Sequence, residues 1–544
     1  MSADETVAIA GRRRRVPAAA HAGSTGADAT APGITAPGGM VPAMPGSAFW
    51  GWAGPLLVTL FGAFLRFNRL SLPKAVIFDE TYYVGDAWAI LQHGVEINHV
   101  KNANALLVGG STHILAGTQG ELVAHPPLGK IMMAAGEWLF GLTPFGWRFS
   151  VALIGSLSIL LLARIVRRMT RSTLLGCVAG LLMALDGLEF VLSRTAILDI
   201  FVMFWVLAAF GLLVIDRDRT RARLAAAVSA AGPDDTGGPG LGIRWLRILA
   251  GVCLGAATAC KWSGVWFIPA FGGLAIAWDL GARRAAGYGR RLSGVLRSDA
   301  GWLPLWCGLV PAAVYVASWT GWFLTPYGYN RTGTAFSSNH QHTSTIAAWL
   351  AYNKWMLQFG LSLAAQPGQQ PYKSNPLGWL VLARPISFYS SCLPATSTCG
   401  AAGTTEQEVL AIGTPLIWWG AAAAMLCCLA WWLTRRDWRA GAALLGLAAG
   451  WLPWIWFFWH DHRIEFYYYA VVFEPFLIIA ITLCLGMIIG PARASPARRA
   501  AGAVLAGGYL LAVLANFAYL YPVLADKVLP YSSWLSRMWF HGWI

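Results

Sequence analysis

The chain has 544 residues, 57% of them hydrophobic and only 12% charged, with a formal net charge of +15. Soluble domains carry about 25% charged residues, so this composition excludes an ordinary soluble protein. Recurring apolar runs of about twenty residues point to an all-α polytopic membrane protein, because lipid accepts only helices or closed barrels and no alternating short strands are visible.

Residues 1–48 are rich in Ala, Gly, Pro, Ser and Thr and carry "GRRRR" at 11–15. They are expected to form a disordered cytoplasmic tail. No apolar core follows the arginines directly, which excludes a signal peptide. Residues 49–544 then form a single transmembrane domain. Eleven spans are predicted, at 50–70, 147–166, 173–192, 198–215, 245–260, 262–280, 302–323, 412–433, 440–459, 466–490 and 501–521. The apolar stretch 126–142 is not counted, because it holds Lys130 and Glu137 and would invert every later loop.

With the N-terminus inside, the inner segments hold 25 of the 40 basic residues and ten of the 25 acidic ones. The excess charge is therefore topogenic and suited to anionic lipids. It is no nucleic-acid footprint. Three larger segments fall outside: a first loop 71–146, a second loop 324–411 and the C-terminal 522–544. In the second loop, 345–364 spaces Trp349, Tyr352, Trp355, Met356 and Phe359 as an amphipathic helix lying on the bilayer. The nine cysteines show no metal-ligand spacing. Cys392 and Cys399 share a polar loop and could close a disulfide in an oxidising compartment.

Several residues could carry chemistry. "FDETYY" sets Asp79 and Glu80 just beyond the first span. Asp79 fits either an N-cap for a helix over 81–92 or a general base facing a cleft. "AHPPLGK" sets His125 before a rigid helix start, with Lys130 one turn in. Arg148, Arg194, Lys261 and Arg463 all fall at the outer ends of spans, at a depth where cations could hold a lipid phosphate. Asp186, Glu189, Asp199 and Glu474 lie at similar depth, as partners of those cations or as site residues. The "HDH" at 460–462 is too isolated to specify a metal.

In order along the chain, "FDETYYVGDA", "HPPLGK", "FVLSRTAILDIFVMF", "GAATACKWSGVWFIP", "KSNPLGWLVLARPISFYS" and "RIEFYYYAVVFEPF" resemble the landmarks of the protein O-mannosyltransferases, multi-span glycosyltransferases of the GT-C class. The resemblance implies a polyprenyl-phosphate mannose donor and Ser or Thr acceptors on exported polypeptides, with the secretion machinery as a further partner. It implies Asp79 as base and Glu80 as the group that places the acceptor. It also implies Arg148, Arg194, Lys261 and Arg463 as phosphate ligands, His125, Lys130, Asp199 and Glu474 as site-shaping residues, and no metal or other cofactor. The second loop has no room for the β-trefoil of eukaryotic members, which points to a bacterial type in the cell membrane with its active site outside. A lipid-phosphate sugar transferase acting on a glycan or glycolipid would use the same Asp-Glu loop. A transporter would need two gates and mid-membrane charges.

Overall fold

The computed structural model describes residues 40–42, 44–232, 237–332, 343–362, 371–394, 400–401 and 403–544. The arginine-rich stretch of the tail and Cys399 lie outside them. Helix α1 (Ala48–Phe67) opens on Ser47, whose side chain accepts from the Trp50 N–H. A loop leads to α2 (Glu80–His93), which Gly94 ends in the left-handed region at φ 77°. Next come β1 (Ile97–His99), α3 (Ala103–Val108), β2 (Leu115–Gly120) and α4 (Leu128–Phe140). Then α5 (Pro144–Thr170), α6 (Thr173–Ala184), α7 (Gly187–Leu192), α8 (Asp199–Ala231), α9 (Trp245–Cys260) and α10 (Phe267–Ala285) build the first part of the bundle. Four helices, Pro415–Arg435, Trp438–His460, Glu474–Ile489 and Pro496–Leu524, complete it.

Among the described residues, eight helices are long and apolar enough to cross a membrane: Ala48–Phe67, Pro144–Thr170, Asp199–Ala230, Trp262–Ala285, Arg291–Ser318, Pro415–Arg435, Trp438–His460 and Pro496–Leu524. The other three expected spans are shorter apolar helices, Thr173–Ala184, Trp245–Cys260 and Glu474–Ile489. Two of them are short because polar groups interrupt the run. Asp186 ends the expected span 173–192 by capping α7, accepting from the Leu188 and Glu189 N–H groups. Glu474 and Pro475 restart a helix inside 466–490, after a 3-10 turn over Tyr467–Val472.

Strands were not expected, yet two small antiparallel sheets are present. One is β1–β2. The other joins β3 (Ile386–Leu393), β4 (Thr405–Ala411) and β5 (Leu529–Pro530). They fold the loops onto the bundle. The helix Thr345–Ser362 turns Ala348, Tyr352 and Met356 inward against Trp319 and Trp322. Ile346, Leu350 and Leu357 stay exposed, so it is as much a wall of the protein as a surface anchor.

Helix α8 is the axis of the bundle: 72% of its apolar stretch is buried, against 22% for α1. Two polar joints brace the helices. In the first, Asp186 Oδ2 accepts from the Thr414 N–H at 3.2 Å and the Trp418 indole at 2.8 Å, and Thr414 Oγ1 donates to the Leu185 carbonyl at 2.6 Å. This ties α6–α7 to the helix Pro415–Arg435. In the second, Arg244 pairs with Asp216 and Asp279, Arg247 with Asp216 and Asp279, and Arg283 with Asp299. Burying these charges is tolerable because each is matched by an opposite one.

Candidate active site

Asp79 sits at the N-cap position of α2, but its side chain makes no capping hydrogen bond. The reading of Asp79 as an N-cap is therefore corrected as far as its side chain goes. Instead, Asp79 Oδ2 accepts from the Tyr468 hydroxyl at 3.2 Å. The residue before it, Phe78, takes φ 47°, a region that costs a side-chain-bearing residue energy. Phe78 is kept there by stacking on Phe388 at 4.4 Å and by edge contact with Tyr468 at 5.5 Å. The turn that presents Asp79 is thus fixed by aromatic packing from two distant parts of the chain.

Lys261 closes α9 and places its ammonium 2.9 Å from both oxygens of Asp199, the first residue of α8. The same ammonium lies 4.2 Å from the centre of the Tyr469 ring and 5.4 Å from that of Tyr468. Burial lifts the Asp79 carboxyl to about 6, against the pull of Lys261 and the Tyr468 hydroxyl and with a further push from Asp199. A carboxylate with that affinity for protons is ionised at neutral pH and still a competent base.

Beside this cluster runs a groove of about 180 Å³ lined by His125, Lys261 and Arg463 and by Trp262, Trp266 and Leu361, among others. It combines cations with a largely apolar wall, a combination suited to an anionic head on a hydrocarbon chain. Burial, with Lys261, Lys130 and Arg463 nearby, holds His125 well below its usual range, so it enters the groove as a neutral imidazole. Arg463 donates to the Gly360 carbonyl at 2.7 Å and to Glu465 at 2.8 Å.

Several residues expected in the site are committed elsewhere. Glu80 is fully buried. Its oxygens accept from Arg148 at 2.7 and 2.8 Å, from the Ile77 N–H at 3.1 Å and from the Ala196 N–H at 3.0 Å. Both of its oxygens are thus engaged within the protein. Arg148 spends its remaining donors on the carbonyls of Leu70, Pro73 and Ala75. Together the pair clamps the turn that carries Asp79 onto α5. Arg194 donates to the carbonyls of Leu65, Arg66, Asn68 and Arg69. It caps the C-terminus of α1, where carbonyls lack intrahelical partners and a cation is favoured. Neither arginine lines the groove. Lys130 pairs with Asp86 and Glu96. Glu474 is buried in the first turn of its helix, with Asp186, Glu189 and Arg66 as its charged neighbours.

Sequence reasoning missed Tyr468 and Tyr469. Three consecutive tyrosines at the head of an apolar span, "EFYYYAVV", were the available signal.

With this geometry in hand, relatives decide the family. The profile for dolichyl-phosphate-mannose-protein mannosyltransferases matches residues 56–232, and that for the C-terminal four-helix region of protein O-mannosyltransferases matches 345–543. A polyprenol-phosphate-mannose–protein mannosyltransferase of Mycobacterium tuberculosis is 38% identical over 523 residues, covering 94% of this chain and 96% of the relative. The chain belongs to the protein O-mannosyltransferase family. A second such mannosyltransferase, from Corynebacterium glutamicum, is 33% identical over 505 residues, covering 90% of this chain and 93% of the relative. In fold, the chain is similar to the Saccharomyces cerevisiae protein O-mannosyltransferase Pmt1–Pmt2 complex bound to the sugar donor, at a TM-score of 0.67 and 14% identity over 92% of this chain and 95% of that one. The protein O-mannosyltransferase described here is therefore a multi-pass membrane glycosyltransferase with the GT-C architecture.

Proposed function

We propose that this mannosyltransferase moves mannose from polyprenyl-phosphate mannose to Ser or Thr hydroxyls of exported polypeptides, with Asp79 as the base of a single inverting displacement. The observation that carries this reading is the placement of Asp79. It forms no ion pair among the described residues, its proton affinity is tuned to about 6, and it lies within electrostatic reach of Lys261, which lines a largely apolar groove.

In this reading Lys261 and Arg463 hold the donor phosphate, and the neutral His125 shapes the groove beside them. The acceptor oxygen attacks the anomeric carbon while Asp79 takes its proton. The bond from that carbon to the phosphate oxygen breaks, and the polyprenyl phosphate departs as a stable anion. The cations stabilise charge as it builds on the phosphate. No second acid is required, unlike glycoside hydrolysis, and the transfer step needs no metal. The basic inner segments support a cell-membrane location with the N-terminus cytoplasmic and Asp79 outside, where acceptors emerge from the secretion machinery.

The test is transfer of labelled mannose from the lipid donor to a Ser/Thr-rich peptide by the purified full-length enzyme. Label on the peptide is expected. Label appearing only on a glycan or lipid acceptor would overturn the acceptor assignment.

A further inference from the structure

Two turns along α2 from Asp79 lies a second polar cluster that the transfer reaction does not use. Asp86 of α2, Glu96 just before β1, His99 within β1, Glu121 just after β2 and Lys130 of α4 meet there. The chain pairs Glu96 with Glu121 across the hairpin, the Glu121 N–H donating to the Glu96 carbonyl at 3.1 Å. Like charges directly opposite are unfavourable unless something positive lies between them. Lys130 answers part of this. Its ammonium is 2.5 Å from Glu96 Oε1 and 3.4 Å from Asp86 Oδ2.

That leaves Asp86 Oδ1, His99 Nε2 and Glu121 Oε2, all buried atoms and none with a hydrogen-bond partner among the described residues. They face one another. His99 Nε2 is 3.8 Å from Asp86 Oδ1 and 3.7 Å from Glu121 Oε2, and the three atoms lie within 4.8 Å of each other. The Asp86 side chain is only 4% exposed, so its unpaired oxygen has no access to bulk water in compensation. Gly85 completes the cradle, because a Cβ there would collide with the His99 ring. With all three carboxylates ionised and His99 neutral, the one ammonium leaves two negative charges in the cluster.

We propose that Asp86, His99 and Glu121 bind a divalent transition-metal cation, with Zn2+ the best match to the donors. One imidazole nitrogen and two carboxylate oxygens suit zinc, whose tetrahedral ligands stand about 3.4 Å apart, a few tenths of an ångström closer than His99 Nε2 stands to either carboxylate oxygen here. A dication cancels the excess charge and satisfies all three unpaired atoms. His99 and Glu121 are 16% and 26% accessible, which gives the ion its path in. The metal pins the β1–β2 hairpin onto α2, the helix whose first turn carries Asp79. Its role is structural, and it is independent of the transfer step.

The test uses the full-length enzyme purified without a polyhistidine tag. Elemental analysis should find about one zinc per chain. Stripping it with a chelator should lower the thermal midpoint, and adding Zn2+, but not Mg2+, should restore it. His99→Gln and Glu121→Gln should each melt near the stripped wild type and lose both the metal and the Zn2+ response. Two variants are used so that misfolding of one leaves the other, and the wild-type titration, to decide. The proposal is overturned if stripped and zinc-loaded enzyme melt together, or if either variant retains stoichiometric zinc.

Discussion

Helix α8 carries two buried charge clusters about 25 Å apart, Asp199 in one and Asp216 in the other, and they are built on opposite rules. Around Asp216, three arginines face three aspartates, and the charges balance. Around Asp199, the one close ion pair is with Lys261, and neighbouring Asp79 is left with a tyrosine hydroxyl. The first cluster has no charge to spare and holds helices together. The second keeps a carboxylate under-compensated, which raises its proton affinity toward neutrality. Burial alone does not make a site reactive; burial with an incomplete set of partners does.

The strongest way to break this comparison is Asp79→Asn. Loss of the base should cut transfer by roughly 10²- to 10⁴-fold, with donor binding retained. Turnover near the wild-type rate would remove Asp79 from the mechanism. Next in size is Arg244→Ala in the balanced cluster. Removing one member leaves Asp216 and Asp279 to share Arg247 and should cost about 3–5 kcal/mol of stability, read as a lower melting midpoint. The kcat of enzyme that remains folded should not change; a fall there would mean that the two clusters are functionally linked.

A smaller effect separates the cations within the site end. Lys261→Gln should raise the KM for donor by about 10- to 100-fold, the loss of a charge-assisted contact. Arg194→Gln should leave that KM alone and lower stability, because its partners are the carbonyls closing α1. Equal effects on donor KM would return Arg194 to the phosphate. The smallest expected change concerns pH. The base works ionised, so kcat/KM should be full well above pH 6 and fall as pH drops through about 6. Tyr468→Phe removes a hydrogen bond that favours the ionised carboxylate. It should move this acid limb to higher pH, and an unmoved limb would show that Tyr468 does not tune Asp79.

Much of this was legible in the residues. Apolar runs gave the helices their places, and the acidic pair beside the first one marked the site. What sequence could not supply was direction. Successive helix positions turn by about 100°, so Asp79 and Glu80 point to different surroundings: one to the tyrosines, the other into the grip of Arg148. Arg194 and Lys261 looked equivalent as lone cations at span ends. Their difference rests on partners from other segments, the α1 carbonyls for one and Asp199 for the other. The β1–β2 sheet escaped notice because β1, with three residues, is too short to show alternation.

The joint at Asp186 carries a consequence for how such chains can be recombined. It links the segment matched by the first family profile to the opening of the helix Pro415–Arg435, within the segment matched by the second. A chimaera that swaps the C-terminal half of this chain for a relative's inherits a requirement at one buried oxygen. The incoming half must bring an indole N–H and a backbone N–H to Asp186, or the graft leaves a carboxylate stranded in an apolar interior. Compatibility between halves is therefore written in a few atoms far from the site, and it sets which hybrids can fold before any question of which can catalyse.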